Sequence, residues 1–117
     1  MKASCPRPIA PDELAVLGAA LLRAPLKPIA PAMKSSLSSH NVVGVCECGC
    51  RSVYFSPINR KDSRIADGID RIPDGKRVEV VVLAVGDVVT KLEIVDYESS
   101  GALPLPATVT SWEAAGS

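Results

Sequence analysis

A chain of 117 residues, 47% hydrophobic but only 3% aromatic, fits one domain with an aliphatic core of Val, Leu, Ile and Ala. Thirteen Lys/Arg against thirteen Asp/Glu leave no net charge, which excludes the global basic field of a typical nucleic-acid binder. No segment reaches the ~18 apolar residues of a membrane span. The run LAVLGAALL (14–22) follows Asp12 and Glu13 where an export signal carries Lys or Arg, so it reads as a helix. With no disulfide framework in view, the expected compartment is the cytoplasm, where thiols stay reduced.

Residues 1–10 hold two prolines and no periodicity, and are expected to be a flexible arm carrying Cys5. Pro11 then suits a first helical position, and Asp12 and Glu13 suit a first turn, where acids complement the helix dipole. Leu14, Leu17 and Leu21 make a buried stripe, and Pro25 ends the helix. Pro31 opens a second, short helix reaching about Ser39, with Met33 and Leu37 facing inward. Residues 11–40 thus predict a helical hairpin.

From Asn41 the apolar period becomes two. NVVGVCECG and RSVYFSP predict two strands joined tightly at Cys48–Arg51, with Gly49 supplying the turn. Residues 57–76 are polar, with two Pro and two Gly, and predict a long loop with one helical turn near Ser63–Ile69. RVEVVVLAVG (77–86) is the most strand-like segment. Its apolar side chains point both ways over Val80–Val85, so it should be central and partly covered on its second face. After a Gly86-Asp87 turn, VVTKLEIVDYE alternates: Thr90, Leu92 and Ile94 on one face, Lys91, Glu93 and Val95 on the other. Residues 99–117, with Pro104, Pro106 and the only tryptophan, Trp112, predict an extended tail. The fold class expected is α+β: two N-terminal helices packed on a four-stranded antiparallel meander over 41–98.

Charge is segregated along this order. Residues 1–66 carry nine Lys/Arg and four Asp/Glu, giving +5; residues 79–117 carry one Lys and six Asp/Glu, giving −5. A neutral chain built this way can offer an acidic surface to a basic partner. Asp87, Glu93, Asp96 and Glu98, with Tyr97, lie on or beside the last strand. Such charges block edge-to-edge aggregation. They are equally a candidate partner surface, with Tyr97 as anchor and the carboxylates as guides.

The stretch VGVCECGCRSV (43–53) holds Cys46, Cys48 and Cys50. As small hydrophobes they would fill the inner face of a Val-rich hairpin. As thiolates, with His40 as fourth ligand, they would make a zinc set. Against zinc, all three sit on one short hairpin, whereas a closed site ties together two separate ligand pairs. A redox role would draw on Arg51 to lower a thiol pKa, but C-E-C-G-C is not C-x-x-C and no βαβ unit surrounds it.

The segment VVGVCECGCRSVYF resembles a hairpin of small uncharacterised bacterial proteins with a pattern near V-x-G-x-C-x-C-G-C-x-S-V. In those proteins a Val-rich strand and an L-x-E-(I/V)-x-x-Y strand follow, matched here by Leu92, Glu93, Ile94 and Tyr97. The resemblance covers residues 42 to about 106 and implies no function. By size and build alone, the chain is also similar to immunity partners of secreted bacterial toxins, of the contact-dependent growth inhibition kind.

Other constellations are weaker. A Cys–His nucleophile would need a thiol beside His40, with Asn41 or Glu47 as orienter. PDGKR (73–77) lacks the first glycine and the Ser/Thr of a P-loop, and DGIDRIPDG (67–75) lacks the alternate spacing and closing Glu of an EF-hand. Arg60, Lys61 and Arg64, after Tyr54 and Phe55, could touch a single nucleic-acid strand. The expectation is therefore a cytoplasmic, non-enzymatic protein-binding module without cofactor, most specifically an immunity protein for a basic toxin domain. A zinc protein is the alternative and an accessory nucleic-acid binder the weaker one.

Overall fold

The computed structural model describes residues 2–46, 51–57, 61–71, 77–96 and 113–114. In chain order these form β1 (Lys2–Pro8), α1 (Pro11–Arg23), α2 (Pro31–Ser36) with a 3₁₀ turn (Leu37–Ser39), β2 (Asn41–Val45), β3 (Val53–Tyr54), β4 (Ser63–Arg71), β5 (Arg77–Val85), β6 (Val88–Asp96) and β7 (Glu113–Ala114). The fold is α+β, with two α-helices and one antiparallel sheet of order β1-β2-β3-β6-β5-β4-β7.

α1 starts as its sequence requires. Pro11 takes the first position, and the Glu13 carboxylate turns back to accept the Ala10 N–H at 2.9 Å. The same carboxylate takes both arms of the Arg7 guanidinium at 2.9 Å each, fastening the end of β1 to the helix. Burial works to raise the pKa of Glu13, but the Arg7 and Ala10 hydrogen bonds and the Arg7 charge bring it below the usual carboxylate range. Val16, Leu17, Ala20 and Leu21 are buried, and Leu14 is half-buried beside them. Met33 and Leu37 point inward as expected. Both helical segments share a core with Val78, Val80, Val82 and Ala84 of β5 and with Leu92 and Ile94 of β6. Each fully buried Leu or Val contributes roughly 1.5–3 kcal/mol relative to exposure.

Four expectations are corrected. The first ten residues are not a flexible arm: Lys2–Pro8 is a strand on β2. Between Ala3↔Gly44 and Arg7↔Val42 its register slips, so four steps on β1 span two on β2. That bulge holds Pro6, which an edge strand tolerates because one side of it makes no ladder. Second, Ser63–Ile69 is no helical turn in a long loop. It belongs to β4, whose ladder with β5 runs from Ser63↔Ala84 to Arg71↔Arg77. Third, β3 does not neighbour β5. It pairs with β6 through Val53↔Leu92 and Tyr54↔Lys91, so β5 is flanked by the two long strands β4 and β6. Fourth, the described residues make seven strands rather than four. β2 stops at Val45 and β3 begins at Val53. Of the tight link expected at Cys48–Arg51, residues 48–50 lie outside the described residues, as do 99–112 and 115–117 of the expected tail.

Two features complete the sheet. The Ser52 hydroxyl accepts the Ile94 N–H at 2.8 Å and donates to the Ile94 carbonyl at 3.3 Å, prolonging the β3–β6 pairing by side chain. Residues 24–26 run along the outer side of β4: Leu26 N–H donates to Ile65 O at 2.9 Å and Asp67 N–H to Ala24 O at 3.0 Å.

Candidate functional site

Alternation along β4, β5 and β6 gives the sheet a second face, away from the helices. Register sets its rows. Arg64, Leu83, Lys91 and Tyr54 lie across four strands; Asp67, Val81 and Glu93 lie across three; Ile69, Glu79 and Val95 lie across the next three. Neighbouring strands are about 4.8 Å apart, so the Asp67 and Glu93 backbones stand roughly 10 Å from one another, with Val81 between. Val81 is buried although it lies outside the helix-side core.

Asp67 is the unusual group. It is buried, its Oδ2 accepts Arg64 at 2.8 Å, and Glu79 sits on the diagonal of the β4–β5 ladder. Its carboxyl is pushed up to about 6, first by burial, then by hydrogen bonding to and repulsion from Glu79, with Arg64 opposing. In the next row the Lys91 ammonium lies 4.6 Å from the Tyr54 ring centre and 3.3 Å from Glu93 Oε1. Burial works to lower the Lys91 pKa, yet Tyr54 and Glu93 together raise it above the ordinary value. The face therefore carries three carboxyls near its middle and two cations along one row.

Of the five residues expected to bind a partner, the three described ones, Asp87, Glu93 and Asp96, do not form one cluster. Asp87 is exposed in the β5–β6 turn, where Gly86 adopts φ 58. Asp96 ends β6 opposite Val78, nine residues on and therefore roughly 30 Å from Asp87 along an extended strand. Glu93, between them, is half-buried on the second face. Tyr97 and Glu98 lie outside the described residues. What joins Glu93 is instead Asp67 and Glu79, with Arg64, Lys91 and Tyr54. Glu79 and Lys91 were visible as charges alternating with apolar residues, but Asp67 and Arg64 needed β4 to be recognised as a strand.

The zinc alternative fares differently at its two ends. His40 precedes β2 and Cys46 follows it, so a five-residue extended strand holds them roughly 20 Å apart. The expected approach of His40 to Cys46 is corrected on that ground. The imidazole instead leans on Phe55, centroids 5.1 Å apart, and burial lowers its pKa. Cys5 is exposed on β1, Cys46 is half-buried, and no disulfide joins these two. Cys48 and Cys50 lie outside the described residues. Among the described residues no three His, Cys, Asp or Glu side chains gather as metal ligands. Of the expected nucleic-acid contacts, Lys61 is exposed, Arg64 is ion-paired to Asp67, and Arg60 lies outside the described residues. Phe55 packs against the core and Tyr54 lies under Lys91, so neither ring is presented as a stacking platform. No helix of the described residues is long and apolar enough to cross a membrane. Compared with protein-family models, curated proteins and solved structures, the chain matches none.

Proposed function

We propose that this chain is a protein-binding module with a basic partner, and that the second face of its sheet around Asp67, Glu79 and Glu93 is the docking surface. The carrying observation is the buried Asp67 carboxyl beside Glu79. Holding two like-charged groups together in a poorly solvated place costs folding stability. An arginine or lysine brought by a partner would relieve that cost, so a group that weakens the free fold would strengthen the complex. Asp87 and Val88 extend the acidic and apolar character to the sheet's end, where Val88 is 59% exposed. The −5 charge of residues 79–117 would steer a basic partner to this half.

In its most specific form the module is a cytoplasmic immunity protein. It would block a toxin domain by covering the toxin's site, without catalysis or a cofactor of its own. Growth rescue tests this. Cells making the C-terminal toxin domain of a large secreted protein encoded beside this chain should stop growing, and recover when the chain is co-expressed. Glu79→Lys with Glu93→Lys should abolish rescue while the melting curve stays cooperative. Rescue by the double reversal would remove this surface from the reading. Failure of the unmodified chain to rescue would remove the immunity role.

A further inference from the structure

The described residues form a cleft that the docking reading does not use. It has a volume of about 190 Å³ and is lined by Arg7, Glu13, Val45, Arg51, Ser52 and Val53. Four of these six flank the cysteines: Val45 immediately before, Arg51 to Val53 immediately after. Val45 and Val53 are cross-strand partners; Val45 is half-buried and Val53 buried, so the apolar surface of the cleft comes mainly from Val45. Arg7 and Arg51 give it two guanidinium groups, with side chains 43% and 41% exposed.

The two arginines are held in different ways. Arg7 is locked by the two Glu13 oxygens, and Glu13 is itself buried, so this pair is a fixed part of the wall. Among the described residues Arg51 reaches only the Asp12 Oδ2, at a long 3.4 Å, and the Asp12 side chain is 55% exposed. An exposed, long pair of this kind contributes little to stability and exchanges readily with solvent. Asp12 Oδ1 meanwhile accepts the Glu13 backbone N–H at 2.9 Å, at the positive end of α1. The Asp12 carboxylate thus bridges the Arg51 guanidinium and a helix-terminal N–H.

We propose that the cleft binds a small carboxylic acid anion with a short branched apolar body. The ligand carboxylate takes the place of Asp12 on Arg51, and the apolar body lies on Val45. Arg7, already neutralised by Glu13, contributes shape and residual positive field rather than the main contact. Each water occupies about 30 Å³ of liquid, so the cleft displaces roughly six, which limits the ligand to about six to eight non-hydrogen atoms. Because Asp12 competes for the same donors, removing its charge should tighten binding. A merely structural Arg51–Asp12 pair would give no such gain.

The test is an amide ¹H–¹⁵N titration of the full chain with 3-methylbutanoate at constant ionic strength. Saturable shifts are expected at Glu13, Val45, Ser52 and Val53, with a Kd on the order of 1–10 mM for so small a ligand. Arg51→Gln should weaken binding at least about tenfold, and Asp12→Asn should tighten it about threefold or more. Both side chains are half-exposed, so both variants should keep the dispersed spectrum of the parent. Shifts that stay linear to about 50 mM, or an Arg51→Gln affinity equal to the parent, would overturn the proposal. So would inorganic phosphate binding as tightly as 3-methylbutanoate, because Val45 would then play no part.

Discussion

Replacing Asp67 by Asn should make this protein more stable at neutral pH, though it removes an ion pair. In the fold the Asp67 carboxyl titrates near 6 beside Glu79, against 3.8 for the unperturbed group. A raised carboxyl pKa means the folded state holds its proton more tightly than the unfolded state does. The associated stability is therefore complete below about pH 3.8 and is lost as pH rises through about 6. A difference of about two units corresponds to roughly 3 kcal/mol, and the two carboxyls release protons as a coupled pair. Asparagine has no proton to lose, so it escapes this penalty and forfeits only the Arg64 contact, worth up to about 1 kcal/mol because Arg64 is largely exposed. The net gain at pH 8 should be about 2 kcal/mol.

The assay is urea unfolding of both proteins at pH 4, 5, 6, 7 and 8. The diagnostic quantity is the stability difference, variant minus parent, at each pH. Other groups cancel in it: His40, depressed by burial, loses its contribution as pH falls below about 6.5, and the depressed Glu13 loses its own below about 4.5. The difference should climb by roughly 2–2.5 kcal/mol between pH 4 and pH 7. A difference that stays flat across that range would refute the shared-proton account of Asp67 and Glu79.

Three further substitutions probe the frame. Ser52→Ala leaves the buried Ile94 N–H without its 2.8 Å acceptor, so a loss of about 1–3 kcal/mol is expected, with faster amide exchange at Ile94 by NMR. Gly86→Ala meets no atom within 4 Å of the new Cβ, so only the φ of 58 opposes it; thermal melts should show a cost of about 1 kcal/mol. Leu17→Ala empties a fully buried position between α1 and the sheet, and a loss of about 2–5 kcal/mol should appear as a lower urea midpoint with an unchanged slope.

Much of this architecture is legible where local rules act alone. Pro11, Asp12 and Glu13 announce the start of α1, and the alternation through Leu92, Glu93 and Ile94 announces β6 with its two faces assigned correctly. β4 is illegible for a specific reason. A register shift between Arg64 and Ala66 puts Ile65 and Ala66 side by side in the core, which breaks the period of two, and five of the other seven positions are charged or glycine. β1 hides behind its prolines, since an edge strand does not need the donors they lack. The order of strands was beyond local reading altogether. Nothing in Val53 or Tyr54 says that their partners stand nearly forty residues on, at Lys91 and Leu92. The carboxyl cluster shared that fate, because it exists only once β4 lies against β5.

The two-residue strand β3 is a narrow join inside the sheet, with two register partners on β2 and two on β6. Either side of it stand sturdier units: the β1–β2 pair, and the nine-residue strands β4, β5 and β6. Helix α1 crosses between them, bound to β1 through Arg7 and Glu13 and packed on β4 and β5. Cooperativity must then flow through the helix rather than through the ladder. Loosening α1 would let the chain open as two cooperative units, with amide protection vanishing first at Val53, Tyr54 and Phe55.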